Sequence, residues 1–377
     1  MLFELQIDHY NLKAVVSKML LDFSTLNRYD PSEMHNVYDR WAELARESYD
    51  SEIVAVDFHG IDHIVFAGMG GSGAIGDVFS SILSKTNVHV SVVKGYVLPK
   101  TVDSNTLVVA TSVSGNTAET LAVLDSAHNK NCKIIAFSSG GMMQEYCTKN
   151  KIQHQSFRQM HSPRASFPIF LYGMLKALGA NIPMREAEVL ESIRFLYELQ
   201  KKINSSNLND ENPALDLAAW ISGIPLIYYP FGLQSAAIRF KNSLHENAKS
   251  QVFLEEISEA CHNEIVSWER PANVRPIMLE GQDDHITTKE KWRILIEYFE
   301  TKNIEYKEVF SVTGNILTKL INLIYLLDYA SIYLAIWGGV DPSPVRSIDF
   351  VKARQRMNSV ELINTQFSRE RPHEIRR

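Results

Sequence analysis

Apolar segments typical of buried β-strands alternate with helix-like segments through most of this chain. In the first part, strands are predicted at 63–68, 88–93, 106–111 and 133–138, and helices at 73–85, 117–130, 142–150 and 166–179. Parallel strands need long crossover connections, and helices of this length can both connect such strands and cover the faces of the sheet. The pattern therefore predicts an α/β fold built on a mainly parallel sheet.

A second cycle of strands and helices follows the polar stretch 204–210, which is interpreted as a linker. Strands are predicted at 224–230, 250–254, 275–280 and 304–310, and helices at 233–248, 286–301, 315–337 and 347–357. Residues 1 to about 60 have the spacing of amphipathic helices. We expect two αβα sandwich subdomains, one in residues 1–205 with the N-terminal helices and one in residues 206–377.

Composition excludes some classes of partner. The 377 residues carry a net charge of −6, which is not the basic character typical of nucleic-acid-binding proteins. The three cysteines have neither paired nor metal-type spacing and are interpreted as free thiols in a reducing compartment. The N-terminus lacks a basic-then-apolar signal pattern, so a cytoplasmic protein is expected.

One apolar segment, 320–340, resembles a membrane span in length. Asp328 is its only charged residue, and a charge near the middle of a spanning helix is costly. We therefore expect a helix buried in the protein or at a protein interface, and no membrane partner.

Two short loops follow predicted strands and lead into predicted helices. Residues 68–73 read Gly-Met-Gly-Gly-Ser-Gly, and residues 112–117 read Ser-Val-Ser-Gly-Asn-Thr. Unpaired N–H groups and the helix dipole make a helix N-terminus an anion site, glycine admits close approach of a ligand, and hydroxyls add donors. Two such loops favour a phosphorylated small molecule, with these candidate phosphate ligands: Gly71, Ser72, Ser112, Ser114 and Thr117.

A dinucleotide site is the alternative for the first loop, because Gly68, Gly70 and Gly73 match G-x-G-x-x-G. That fingerprint calls for an acidic residue at the end of the next strand, and this strand ends in Lys94. Binding of NADP would tolerate the lysine, but a dehydrogenase of that type does not need the second, hydroxyl-rich loop.

Together the two loops, the second extended by Glu119 and Thr120, resemble the sugar-isomerase (SIS) fold. More narrowly, the chain from about residue 50 to about residue 357 resembles the bifunctional phosphoglucose/phosphomannose isomerases of archaea and some bacteria. The resemblance implies that the first half of the chain supplies most contacts to a sugar phosphate.

Aldose–ketose isomerisation needs a base that moves a proton between C1 and C2, a group that opens the sugar ring and a cation near the enediolate. By the resemblance, Glu246 in the stretch Glu-Asn-Ala-Lys is the base and His262 in His-Asn-Glu opens the ring. Arg164 precedes an apolar helix, where a cation opposes the helix dipole, and the resemblance makes it the enediolate-stabilising residue. Lys352 on the last helix matches the catalytic-site lysine of the family.

The resemblance implies an isomerase of glucose 6-phosphate, mannose 6-phosphate and fructose 6-phosphate that needs neither cofactor nor metal. It also implies a homodimer in which His262 reaches the site of the partner subunit. The segment 343–347 lacks the threonine expected ahead of the C-terminal lysine, which weakens the mannose 6-phosphate half of the prediction. A non-catalytic, sugar-phosphate-binding SIS regulator is the alternative, although residues 1–60 show no basic recognition helix.

Overall fold

Five parallel strands form the first sheet in the order β2-β1-β3-β4-β5. The computed structural model describes residues 21–355 of the chain. The strands are β1 His63–Ala67, β2 His89–Val93, β3 Thr106–Ser112, β4 Lys133–Ser138 and β5 Gln153–Ser156. The two central strands β1 and β3 are buried along their whole length, which explains why they are continuous apolar runs.

Four further parallel strands form the second sheet in the order β7-β6-β8-β9. They are β6 Ile224–Tyr229, β7 Phe253–Glu256, β8 Val274–Glu280 and β9 Lys307–Phe310. Both sheets are parallel throughout, as predicted.

Helices precede, connect and cover the strands. In chain order the α-helices within residues 21–342 are α1 Phe23–Tyr29, α2 Met34–Tyr38, α3 Trp41–Asp50, α4 Gly70–Leu83, α5 Ala118–Asn129, α6 Gly141–Asn150, α7 Phe167–Ala177, α8 Glu186–Ile203, α9 Pro213–Trp220, α10 Gln234–Ser243, α11 Ile257–Ala260, α12 Ile286–Lys302 and α13 Ile316–Trp337.

The hydrophobic core has three parts, separated by the two sheets. One part lies between the first sheet and helices α5 and α6, and another lies between the second sheet and helices α11 and α12. The largest part fills the space between the sheets, where α4, α7, α8, α10 and α13 lie. The two sheets therefore present one face each to a shared central layer of helices.

Helix α13 occupies the middle of that layer. It is long and apolar enough to cross a membrane, but 83% of its most apolar 18-residue stretch is buried inside the protein. It packs against α8, α9 and α10. The expectation of a buried helix is confirmed, and the burial arises within the same chain.

The fold class was predicted correctly, and the differences concern individual elements. The short edge strand β5 and helices α8 and α9 were not predicted. The helix predicted at 233–248 is α10 followed by a separate π-helical turn, Leu244–Ala248. The strand predicted at 250–254 begins three residues later, at Phe253.

Residues 21–342 form one unit that includes both sheets, and the described part of a second unit, residues 343–355, contains a helix at 346–355. The polar stretch 204–210 is a loop between α8 and α9. The division into 1–205 and 206–377 remains a prediction. The N-terminal part of the predicted helical region, residues 1–20, and residues 356–377 lie outside the described residues.

Candidate functional site

Both hydroxyl-bearing loops lie at the carboxyl edge of the first sheet. The first loop follows β1 and the second follows β3, and these two strands are neighbours. The chain leaves β1 toward β2 on one side and leaves β3 toward β4 on the other, so the loops flank the topological switch point of the sheet. Ligands of open parallel sheets bind at such a point.

A direct hydrogen bond joins the two loops. The backbone N–H of Val113 donates to Oγ of Ser72 at 3.2 Å, and Ser72 is buried. Ser72 lies in the first turn of α4, whose N-cap residue, Met69, makes no capping bond through its side chain. The start of α4 is therefore held against the second loop by Ser72.

The hydroxyls of the second loop bond mainly to each other and to the loop. Ser112 Oγ donates to Thr117 Oγ1 at 2.9 Å, and the N–H of Asn116 donates to Ser114 Oγ at 3.3 Å. Gly115 has φ +70°, and a Cβ at this position would lie 1.8 Å from the carbonyl oxygen of Gly140. The turn therefore requires glycine for both its backbone conformation and its packing.

Arg164 lies directly beside the first loop. A Cβ built on Gly71 would be 3.5 Å from Cα of Arg164, and Arg164 is only 4% exposed. The residue precedes α7, a helix whose residues are almost all buried. The structure thus places a buried cation next to the predicted phosphate loop, although the two are more than 90 residues apart in sequence.

The guanidinium of Arg164 contacts Asn247, Pro342 and Glu246. Its Nε donates to Oδ1 of Asn247 at 2.7 Å, and its Nη2 donates to the carbonyl oxygen of Pro342 at 2.7 Å. Its Nη1 lies 3.3 Å from Oε2 of Glu246. The predicted base and the predicted enediolate-stabilising cation are therefore in contact.

Glu246 lies in the π-helical turn Leu244–Ala248, which continues α10. Single π-helical turns are frequent at functional sites because they change the direction of one or two side chains within a helix. The Glu246 side chain is 25% exposed, whereas the next residue, Asn247, is fully buried. The turn therefore directs Asn247 into the protein and leaves the Glu246 carboxylate accessible.

Lys249 ends the turn in a left-handed conformation, with φ +55°. Its Nζ donates to the carbonyl oxygen of Glu246 at 2.6 Å and to that of Pro342 at 3.2 Å. Burial, followed by the nearby charge of Arg164, lowers the pKa of the Lys249 ammonium. A second cation thus lies beside the base, and sequence reasoning assigned it no role.

A buried ion pair between Arg239 and Asp328 is hydrogen-bonded to the backbone of Arg164. Nε and Nη2 of Arg239 lie 3.0 and 2.6 Å from Oδ2 of Asp328, and the same Nη2 donates to the carbonyl oxygen of Arg164 at 2.8 Å. The guanidinium carbon of Arg239 lies 4.5 Å from the ring centroid of Phe167, and both charged residues are buried. Asp328 is the only charged residue of the apolar segment 320–340. A buried carboxylate needs a cationic partner, and this requirement could have pointed to Arg239 from the sequence.

The two remaining predicted catalytic residues lie elsewhere on the chain. His262 is exposed in a turn after α11, and among residues 21–355 no hydrogen bond or ion pair connects its imidazole with Arg164 or Glu246. Lys352 is exposed on the helix 346–355 of the second unit. Their catalytic roles remain predictions.

The end of β2 carries Lys94, as the sequence indicated. Its Nζ lies 2.5 Å from Oδ2 of Asp77 on α4, so the lysine is paired with a residue of the helix that the glycine loop begins. Burial raises the pKa of Asp77, and Lys94 opposes this effect.

Within the described range, residues 21–355, no group of three His, Cys, Asp or Glu side chains could hold a metal ion.

Two family profiles match the chain. The profile described as "Bacterial phospho-glucose isomerase C-terminal SIS domain" matches residues 210–354, and the profile described as "SIS domain" matches residues 57–154. The first contains Glu246 and His262, and the second contains both predicted phosphate loops.

Several curated proteins are similar over most of the chain. A bifunctional phosphoglucose/phosphomannose isomerase of Caldicellulosiruptor bescii is 33% identical over 79% of this chain and 91% of that protein. One from Aquifex aeolicus is 29% identical over 85% of this chain and 98% of that protein. A D-glucosamine-6-phosphate 4-epimerase of Sulfolobus acidocaldarius is 32% identical over 62% of this chain and 72% of that protein.

Solved structures share the fold at low sequence identity. A hypothetical protein from Thermus thermophilus superposes with a TM-score of 0.63 at 14% identity, covering 93% of each chain. The C-terminal domain of a glucosamine-fructose-6-phosphate aminotransferase from Francisella tularensis gives a TM-score of 0.63 at 14% identity, covering 82% of this chain and 98% of that domain. These similarities bear on the fold alone.

Proposed function

Because the chain belongs to the bifunctional phosphoglucose/phosphomannose isomerase family, we propose that it is an aldose–ketose isomerase acting on hexose 6-phosphates. It interconverts glucose 6-phosphate and, by the family resemblance, mannose 6-phosphate with fructose 6-phosphate. The observation that carries the proposal is the contact between Arg164 and Glu246 beside Gly71 of the phosphate loop. A base, a cation and an anion-binding helix start meet at one place.

The phosphate is held at the start of α4 and in the hydroxyl loop, by Gly71, Ser72, Ser112, Ser114 and Thr117. This end of the site is supported by its place at the switch point of the first sheet. In the first turn of α4 the N–H groups of Ser72 and Gly73 donate to the carbonyl oxygen of Met69. The backbone of Gly70 and Gly71 and the positive end of the helix dipole stabilise the negative charge of the phosphate.

Glu246 carries the proton between C2 and C1. Its carboxylate removes the C2 proton of the open-chain aldose, which leaves a cis-enediolate, and returns the proton to C1. The hydroxyl proton of O2 passes to O1, which gives the ketose. The reaction moves protons within one molecule and is balanced without an external electron donor or acceptor. Arg164 stabilises the negative charge that develops on the enediol oxygens, and a buried cation does this effectively because little water screens it.

Ring opening is assigned to His262 and Lys352 on the basis of the family resemblance. His262 lies outside the Arg164–Glu246 cluster of its own chain, which is what a contribution from a second subunit requires. We therefore propose a homodimer in which His262 completes the partner's site. The three free cysteines are consistent with a reducing, cytoplasmic location.

The central experiment is a coupled assay of fructose 6-phosphate formation from glucose 6-phosphate, with Glu246→Gln as the test variant. Removal of the base should lower kcat at least about 100-fold, since general acid–base catalysis contributes roughly 10²–10⁴-fold. Glu198→Gln, on the exposed face of α8, is the matched control and should be unaffected. Turnover of Glu246→Gln within about threefold of wild type would contradict the assignment of the base.

The substrate range is tested with the same assay. Turnover of mannose 6-phosphate is compared with turnover of glucose 6-phosphate, and glucosamine 6-phosphate belongs in the panel because one relative is an epimerase of that sugar. Absence of turnover with tight binding of fructose 6-phosphate would favour the non-catalytic regulator. A nicotinamide-dependent absorbance change would favour the dehydrogenase.

Mixing two inactive variants tests the shared site. If His262 acts across the interface, a mixed dimer of Glu246→Gln and His262→Ala has one intact site. Random mixing then restores about a quarter of wild-type activity, since half the dimers are mixed and half their sites are intact. A mixture that stays inactive although dimers form and exchange subunits would rule out the contribution of His262 in trans.

A further inference from the structure

The hydrogen bonds around Arg164 close into a ring. Starting from the guanidinium, Nε donates to Asn247 Oδ1 at 2.7 Å, Asn247 Nδ2 donates to Ser331 Oγ at 2.8 Å, and Ser331 Oγ donates to the carbonyl oxygen of Asp328 at 2.6 Å. From the Asp328 carboxylate the ring returns through Arg239, whose Nη2 donates to the carbonyl oxygen of Arg164 at 2.8 Å.

Asp328 therefore supports Arg164 at both ends. Its side chain holds Arg239, which holds the backbone of Arg164, and its carbonyl oxygen holds Ser331, which orients the amide that holds the guanidinium. All five members of the ring are buried, with exposures between 0% and 4%. A buried polar network with its groups paired is rigid, because each broken bond leaves a polar atom without water.

The groups that accept hydrogen bonds from Nε and Nη2 of Arg164 are both uncharged. Asn247 and the carbonyl of Pro342 satisfy these donors without adding a negative charge to that of Glu246, which lies 3.3 Å from Nη1. A carboxylate in the place of Asn247 would have nearly the same shape but would place a full negative charge about 3 Å from the guanidinium, where it opposes stabilisation of an anionic intermediate.

We propose that this ring positions Arg164 for the isomerisation, and that Asn247 is a positioning residue whose neutrality keeps the charge of Arg164 directed at the enediolate. The inference rests on the proposed function. Asn247 and Asp328 act through Arg164 and need not touch the sugar. Substitution of Asn247 should therefore lower kcat and leave KM nearly unchanged, because the enediolate charge develops during the reaction and is absent from the bound substrate.

The test compares Asn247→Asp with wild type by thermal unfolding and steady-state kinetics on fructose 6-phosphate. We expect kcat to fall about 100-fold, as for loss of one charge-stabilising donor, with KM within about threefold. Tyr38→Phe is the matched control: its hydroxyl donates to Asp328 Oδ2 at 3.3 Å from outside the ring. It removes a buried bond to the same carboxylate and should leave kcat within about threefold of wild type.

The kinetics of these variants decide the proposal. A kcat of Asn247→Asp within about threefold of wild type, or an equal loss in Tyr38→Phe, overturns it. If Asn247→Asp does not fold, Ser331→Ala replaces it, with an expected kcat loss of about tenfold at unchanged KM; an unaffected kcat overturns the proposal. A wild-type protein without isomerase turnover overturns the proposed function instead, so the two failures are distinguishable.

Discussion

Glu280 links the stability of the second sheet to pH. It is the last residue of β8, is 8% exposed, and its Oε1 has no hydrogen-bond partner among the described residues. Glu280 pairs with Phe310 on β9, so Glu308, two residues earlier on β9, lies on the same face of the sheet. Burial raises the pKa of Glu280 to about 8, and the Glu308 carboxylate and then Asp284 add to the effect.

The sign of the pH dependence follows from linkage. The folded protein holds the Glu280 proton up to a pH of about 8, whereas the unfolded chain releases it near the ordinary value of 4.5. The folded state therefore binds more protons between these values, and the free energy of unfolding falls as the pH rises through this window. The difference between 4.5 and about 8 corresponds to at most about 5 kcal/mol, so we expect a loss of about 2–5 kcal/mol between pH 5 and pH 9.

Replacement of Glu280 by glutamine removes the ionisation and keeps the shape. Melting temperatures of wild type and Glu280→Gln, measured from pH 5 to pH 9, should diverge by about 2–6 °C, with the variant more stable above pH 8. Glu297→Gln, on the exposed side of α12, is the control and should follow wild type. Parallel curves for wild type and Glu280→Gln would refute the reasoning, because the proton uptake would then have another source.

Two further substitutions probe local structure. Gly115→Ala should lower the free energy of unfolding by about 2 kcal/mol or more and raise KM, because the backbone has φ +70° and a Cβ would clash with Gly140. Gly95→Ala, with open space around it, is the control. Equal KM values for the two variants would contradict a phosphate role for the loop. Asn212→Ala should cost about 2–3 kcal/mol, because its buried side chain accepts from the N–H groups of Ala214 and Leu215 at the start of α9. Asp22→Ala, at an exposed N-cap, should cost about 1 kcal/mol or less, so urea unfolding that ranks the two in the opposite order would count against the role of burial.

Much of the fold could be predicted from hydrophobic patterning. Strands such as β1 and β3 are covered on both faces and are therefore apolar at every position, which makes them visible in sequence. The edge strand β5, Gln153–Ser156, is only four residues long and has no buried residue, so it lacks that pattern. Helix α8 has an ordinary amphipathic pattern, with Val189, Ile193 and Leu196 buried, and was simply overlooked.

Some residues of the candidate site could also be found from the sequence, and others could not. The two loops could be located from sequence because phosphate recognition at a helix start needs glycines and hydroxyls close together in the chain. Identification of Glu246 depended on resemblance, since a glutamate near the end of an amphipathic helix looks like any surface glutamate. The contacts of Arg239 with Arg164 and of Lys249 with Pro342 were missed because each joins residues more than 70 positions apart.

The sequence by itself determined the fold class, the position of both predicted phosphate loops at strand ends and the burial of α13, because each is encoded in short-range patterns of apolar, glycine and hydroxyl residues. The tertiary structure decided which of these segments meet. It places Arg164 against Gly71 and Glu246, directs Asn247 inward through a π-helical turn, and supports Arg164 at both ends from Asp328. The physical reason is that a buried charge needs partners from all sides, and packing of distant elements supplies them.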